Sequence, residues 1–135
     1  MFEKVEVINF EDFDEAKFGK EQDVLTVVCV ATHYEGDPCD NTAKFHSWIK
    51  KLKKDGITSA FTGLQYAVFG LGDSSYENYN AIGRLYDKLF EKLGGVRVLN
   101  LAEGNAELLE TEEQFEEWKS TLWERLAEYY ETLNP

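Results

Sequence analysis

Tyr76 and the pair His33-Tyr34 are the side chains of this sequence best suited to hold a flat ligand. Two rings on neighbouring loops can sandwich a planar heterocycle, and offset stacking contributes about 0.5–1.5 kcal/mol beyond area burial. Tyr76 lies in Phe69-Gly70-Leu71-Gly72-Asp73-Ser74-Ser75-Tyr76-Glu77-Asn78-Tyr79-Asn80. There Gly70 and Gly72 permit backbone angles closed to other residues and leave room for a ligand to approach the main chain. The Gly-x-Gly does not continue as a dinucleotide fingerprint, because the residue three beyond Gly72 is Ser75. Spacing alone also allows a blander reading, in which Tyr76 packs on the helix that follows it.

The elements that must position these residues are legible from periodicity. Residues 24–31 are almost continuously apolar and rich in β-branched types, which predicts a strand covered on both faces in the middle of a sheet. Residues 4–10 alternate in part and predict a strand wet on one side or at an edge. Phe45, Trp48, Ile49 and Leu52 share one helix face, with Asp40 or Asn41 as cap and Asp55-Gly56 as stop. Residues 66–69 predict a second strand, and Ile82, Leu85, Tyr86, Leu89, Phe90 and Leu93 a second helix closed by Gly94-Gly95. Residues 96–101 read as a short strand and 102–110 as a loop. Thr111 and Gln114 then form a capping box ahead of a last helix buried through Phe115, Trp118, Leu122, Leu126, Tyr129 and Leu133. Strands alternating with helices predict a single α/β domain over 1–135, a parallel sheet with helices on both faces, whose ligands bind at the carboxyl ends of the strands. Both aromatic loops follow strands at that rim.

At 135 residues with 43% hydrophobic content, the chain is long enough for one real core. Its formal charge of −12 argues against nucleic acid or an anionic membrane surface and favours protein partners with basic surfaces. Cys29 and Cys39 read as reduced thiols, no stretch is long and apolar enough to span a membrane, and Met1-Phe2-Glu3-Lys4 does not open a signal peptide. Together these features predict a cytoplasmic protein. No metal-ligand or catalytic constellation is evident.

Ala31-Thr32-x-x-Glu35-Gly36-Asp37-Pro38-x-Asp40-Asn41, the segment 69–77, and Asn80-Ala81-x-Gly83 together resemble the flavodoxin-like FMN domain of the NADPH-cytochrome P-450 reductase (diflavin reductase) family. Phe115-x-x-Trp118 and Trp123 are similar to that family's final helix, so the resemblance covers nearly the whole chain. It implies an electron-transfer domain binding FMN and passing electrons from a reduced flavin to a haem or iron-sulfur acceptor. It further implies that Tyr76 stacks on one face of the flavin ring and His33 on the other. Backbone groups of Thr32, His33, Tyr34 and Glu35, and of Leu71, Gly72, Asp73, Ser74, Ser75 and Tyr76, would hydrogen-bond the ring edge, with Ala31, Gly70, Asn80 and Glu107 completing the site.

Three departures accompany the resemblance. The family has Tyr-Gly where this chain has His33-Tyr34, so Tyr34 is an alternative source of the ring. The third flavin loop is reduced to Gly104-Asn105-Ala106-Glu107. The family's opening strand and phosphate-holding loop have no counterpart upstream of Lys4, which leaves residues 24–31 to pair directly with residues 5–10, or with a strand from another chain through self-association or complementation. The alternatives to the electron-transfer domain are therefore a cofactor-free interaction module or truncated product, and one half of a split flavoprotein.

Overall fold

The computed structural model describes residues 4–21, 24–33 and 35–133. Four strands form one parallel sheet: β1 (Leu25–Ala31), β2 (Gln65–Leu71), β3 (Val96–Arg97) and β4 (Ala102–Glu103). Helices α1 (Ala43–Lys54) and α2 (Ala81–Lys92) cover one face and α3 (Thr111–Leu133) the other, as the alternation of strand and helix patterns predicts.

The alternation of side chains along β2 builds both cores. Tyr66 and Val68 point towards α1 and α2, where they bury with Val28, Val30, Phe45, Ile49, Tyr86, Leu89 and Phe90. Ala67 points the other way, against Leu122, Leu126 and Val98, and the Phe69 ring meets Trp118 and Phe115 on that same face. The helix faces read from sequence are the ones that pack. The side chain of Leu133 lies outside the described residues.

Five local expectations are corrected. Strand β1 is an edge, paired only with β2 among the described residues. Its Val28 and Val30 are buried, but Val27 is 38% exposed and Cys29 is exposed on the opposite face. Residues 4–9 form no strand: Val5, Val7 and Ile8 are exposed, and Val7 is 96% so. The aromatic residues downstream explain the preference. A 3-10 turn at Phe10–Asp12 starts a strap whose Phe10, Phe13 and Phe18 rings pack 5.0, 5.2 and 5.0 Å from the Phe45 ring. These three ring contacts anchor the strap, which begins only at Phe10.

The stretch 96–101 is not one strand. Between Gln65 and Phe69, β2 advances four residues while its partner advances six, from Val96 to Ala102, so the partner bulges and pairs in two short pieces. At α1, neither Asp40 nor Asn41 caps the helix. Both lie in the 3-10 turn Asp40–Thr42, where Asn41 Oδ1 accepts a 3.0 Å bond from Thr42 Oγ1. Gln114 likewise does not close a capping box, since its amide is engaged with the preceding loop.

Candidate functional site

The carboxyl ends of β1, β2 and β4 carry three loops. Ala31 pairs with Leu71, so the loops that follow β1 and β2 leave the sheet side by side. The first closes on itself through a Thr32–Pro38 bridge, a His33 N–H to Asp37 carbonyl bond of 2.9 Å and a Gly36 N–H to His33 carbonyl bond of 2.8 Å. Gly36 is at φ 89°, and a β-carbon there would lie 3.0 Å from Asn78 Cγ, so the two loops are in contact. His33 and Glu35 are exposed on this loop, whereas Tyr34 lies outside the described residues. Thr32 is partly buried and accepts a 2.9 Å bond from the Ile82 N–H at the start of α2.

Tyr76 stands on the second loop with 54% of its surface exposed, so it is not a core residue of the following helix. Its loop is rigidly built. The Asp73 carboxylate accepts bonds from Ser75 Oγ (2.6 Å) and Ser75 N–H (2.9 Å), which hold it below the usual carboxylate range. Ser74 N–H donates to Asn105 Oδ1 (3.0 Å), and Tyr76 N–H to the Asp73 carbonyl (3.1 Å). The amides of residues 74–76 therefore have internal partners, and donors for a ring edge must come from earlier in the loop.

The space above Gly70 and Gly72 belongs to Asn80. A β-carbon on Gly70 would fall 2.5 Å from Asn80 Oδ1, and one on Gly72 would fall 2.6 Å from Asn80 Cγ. The two glycines thus admit a side-chain amide of the protein itself, rather than leaving that room for a ligand. Asn80 is 1% exposed, sits in the left-handed region at φ 54°, and donates from Nδ2 to the Gly104 carbonyl at 3.1 Å. Its Oδ1 lacks a hydrogen-bond donor and lies in the space that a β-carbon on Gly70 or Gly72 would fill. Asn80 therefore holds the rim from beneath.

The third loop is tied to the second at three further points. Glu107 accepts a 2.6 Å bond from Ser74 Oγ, Ala106 N–H donates to the Gly72 carbonyl at 2.8 Å, and Tyr79 Oη donates to the Glu103 carbonyl at 2.8 Å. Burial, followed by the Glu103 charge, pushes the Tyr79 phenol up. Glu103 also pairs with Arg84, whose guanidinium lies 5.6 Å from the Tyr79 ring centre. Sequence reasoning gave Asn105 no role of its own and Gln114 only a helix-capping one. Gln114 Nε2 donates to the carbonyls of Asn105 (2.7 Å) and Leu109 (2.6 Å), and its Oε1 accepts from Asn105 N–H (2.7 Å). The signal available was a Gln in the first turn of a helix, which has two satisfactory uses: its own helix start or the preceding loop.

The geometry thus brings together the His33 loop, the Tyr76 loop and Glu107, with an exposed ring and several carboxylates on one rim. The exposed ring and the carboxyl-end position fit a planar heterocycle. Among the described residues no cluster could hold a metal ion, and no helix is long and apolar enough to cross a membrane.

A parallel sheet with helices on both faces and three loops at its carboxyl rim defines a flavodoxin-like domain. The flavodoxin family pattern matches residues 2–118, and the chain belongs to that family. The NADPH-cytochrome P450 reductase of Candida maltosa is 40% identical over 124 residues, which cover 91% of this chain and 18% of that protein. The same enzyme of Sus scrofa is 38% identical over 109 residues, covering 81% of this chain and 15% of the relative. The chain thus spans less than a fifth of either. A point mutant of flavodoxin from Pseudomonas aeruginosa superposes with a TM-score of 0.57 at 28% identity, over 75% of this chain and 65% of that one.

Proposed function

We propose that this chain is an electron-transfer domain whose rim binds FMN. The observation that carries the reading is Tyr76, an exposed ring on a loop held rigid by Asp73, Ser74 and Asn105 beside the His33 loop. Tyr76 and His33 would take the two faces of the ring, while the start of the glycine loop and residues 31–35 line its edge. FMN, when bound, supplies one-electron transfer between a reduced flavin partner and a haem or iron-sulfur acceptor. The protein's own contribution is stacking, hydrogen bonding and local negative charge, including that of Glu107. The charge of −12 suits redox partners with basic surfaces.

The test is the visible spectrum of the purified protein together with an FMN titration followed by flavin fluorescence. A yellow protein, or quenching with micromolar affinity, is the expected result. Unchanged fluorescence at high FMN would overturn the reading for this polypeptide.

A second reading is favoured by one specific feature, the open edge of β1 with Val27 and Cys29 exposed. An apolar parallel strand with one unpaired edge can accept a strand from a second copy or from a complementary chain. On that reading the domain is an association module, or one part of a split flavoprotein.

A further inference from the structure

We infer that Asn105 is the positioning residue of the Tyr76 loop, and that its carboxamide sets the direction of a hydrogen-bond chain running from Asn105 through Ser74 to Glu107. Asn105 is 9% exposed, and each of its polar groups has a partner. Oδ1 accepts from Ser74 N–H (3.0 Å) and Glu107 N–H (3.1 Å), and Nδ2 donates to Ser74 Oγ (2.8 Å). Its backbone N–H and carbonyl are both held by the single Gln114 amide at 2.7 Å. Gln114 belongs to the first turn of α3, which the Phe115 and Trp118 rings fix against Phe69 of β2 at 5.3 and 5.4 Å. A continuous path of packed and hydrogen-bonded groups therefore runs from the sheet to the aromatic loop.

The direction of the chain follows from donor chemistry. Nδ2 can only donate, so Ser74 Oγ must accept from it and is left to donate its hydrogen to Glu107 Oε2 at 2.6 Å. The carboxylate is thereby pinned beside the loop. An aspartate at 105 has nearly the same shape and keeps an oxygen for both backbone N–H groups, but it cannot donate. Two carboxylates would then compete for one hydroxyl hydrogen, with like charges facing each other. Asp73 cannot relieve that contact, being engaged with Ser75.

The inference rests on the flavin reading for its binding arm and on the hydrogen bonds alone for its exchange arm. The test uses Asn105→Ala, Asn105→Asp and the double variant Asn105→Asp/Glu107→Gln. Amide exchange in Asn105→Ala should quicken about tenfold at Ser74 and Glu107, the loss of one acceptor bond each, while the β2 amides stay protected. Both single variants should weaken FMN binding about tenfold, and the double variant, which restores one carboxylate and one amide across Ser74, should recover most of it. Rescue by exchanging charge ties the loss to the polarity of the chain through Ser74 rather than to side-chain volume. Unchanged exchange at Ser74 and Glu107 in Asn105→Ala overturns the inference. So does faster exchange with undiminished FMN affinity, or an unrescued double variant. Should the unsubstituted chain fail to bind FMN, the flavin reading fails by itself and the exchange arm still decides whether Asn105 holds the loop.

Discussion

The side-chain amide of Asn80 occupies the place where a β-carbon on Gly72 would stand. The contact explains both residues: glycine is required for the close approach, and the left-handed backbone of Asn80 aims its amide under the loop towards the Gly104 carbonyl. Gly72→Ala should therefore cost about 1–3 kcal/mol by overpacking. Asn80→Gly removes the obstructing amide and relieves the backbone at φ 54°, but it forfeits one hydrogen bond, so it should cost about 1 kcal/mol. Denaturant melts of the double variant should show less destabilisation than the sum of the singles. Strict additivity would mean that the two residues do not share that space.

Tyr76 and Trp118 lie on opposite sides of the distinction between site and scaffold. Trp118 packs against Phe69 and Phe115, and its Nε1 is buried without a hydrogen-bond partner. Trp118→Ala should lower stability by about 3–5 kcal/mol. Trp118→Phe should cost under about 1.5 kcal/mol, because no hydrogen bond is lost and most of the ring volume is kept. Tyr76→Ala should change thermal stability by no more than about 0.5 kcal/mol, as befits an exposed ring, yet weaken FMN binding. Equal effects of Tyr76→Ala and Trp118→Ala on both binding and melting would show that Tyr76 is scaffold.

The layers of the fold are legible in the sequence because each depends on side-chain period. The stripe of Ile82, Tyr86, Leu89 and Phe90 and the run around Val28 have one good burial solution apiece. The site loops are legible only as locations. Gly-x-Gly beside an aromatic residue marks the rim, but the amide filling the glycine space comes from Asn80, and the hub of the third loop is Asn105. Short polar side chains such as these can bond to many neighbours, so sequence pattern does not select their partners. The edge position of β1 is hidden for a related reason. An apolar run reports that a strand can be buried, whereas the number of its neighbours depends on what the rest of the chain provides.

Acid should act at two places with the same sign. His46 Nδ1 lies 3.0 Å from Tyr86 Oη, and burial, with Lys50 nearby, pulls its pKa below the ordinary 6.5. Asp73 is held below 3.8 by its bonds to Ser75. Both folded-state values are depressed, so both contributions are present above the unfolded values and are lost as pH falls through the folded ones. Stability should therefore begin to drop below about pH 6.5 as the unfolded chain binds a proton at His46, and the Asp73 turn should open only in stronger acid, below about pH 4. His46→Gln should remove the first phase and leave the second. Melts in which His46→Gln retains the loss between about pH 6.5 and 5 would assign that phase to another group.

The open edge of β1 makes a prediction about association. Val27, 38% exposed, and Cys29 lie on the α3 side of the sheet but stay exposed there, and no strand pairs with the outer edge of β1 among the described residues. Light scattering at rising concentration should detect self-association, and Val27→Lys should suppress it by placing a charge at the edge. Cys29 provides a local reporter. Partial burial raises its pKa above the ordinary 9.0, so alkylation should still be accelerating at pH 9 and should slow as the protein associates. The outward-facing amides of residues 25–31, those that do not bond to β2, should become protected from exchange over the same concentration range. A strict monomer with those amides unprotected would remove self-association and leave complementation by a different chain as the remaining use of the edge. Protection in the monomer would instead mean that the edge is already covered within one chain, which no pairing of β1 among the described residues provides.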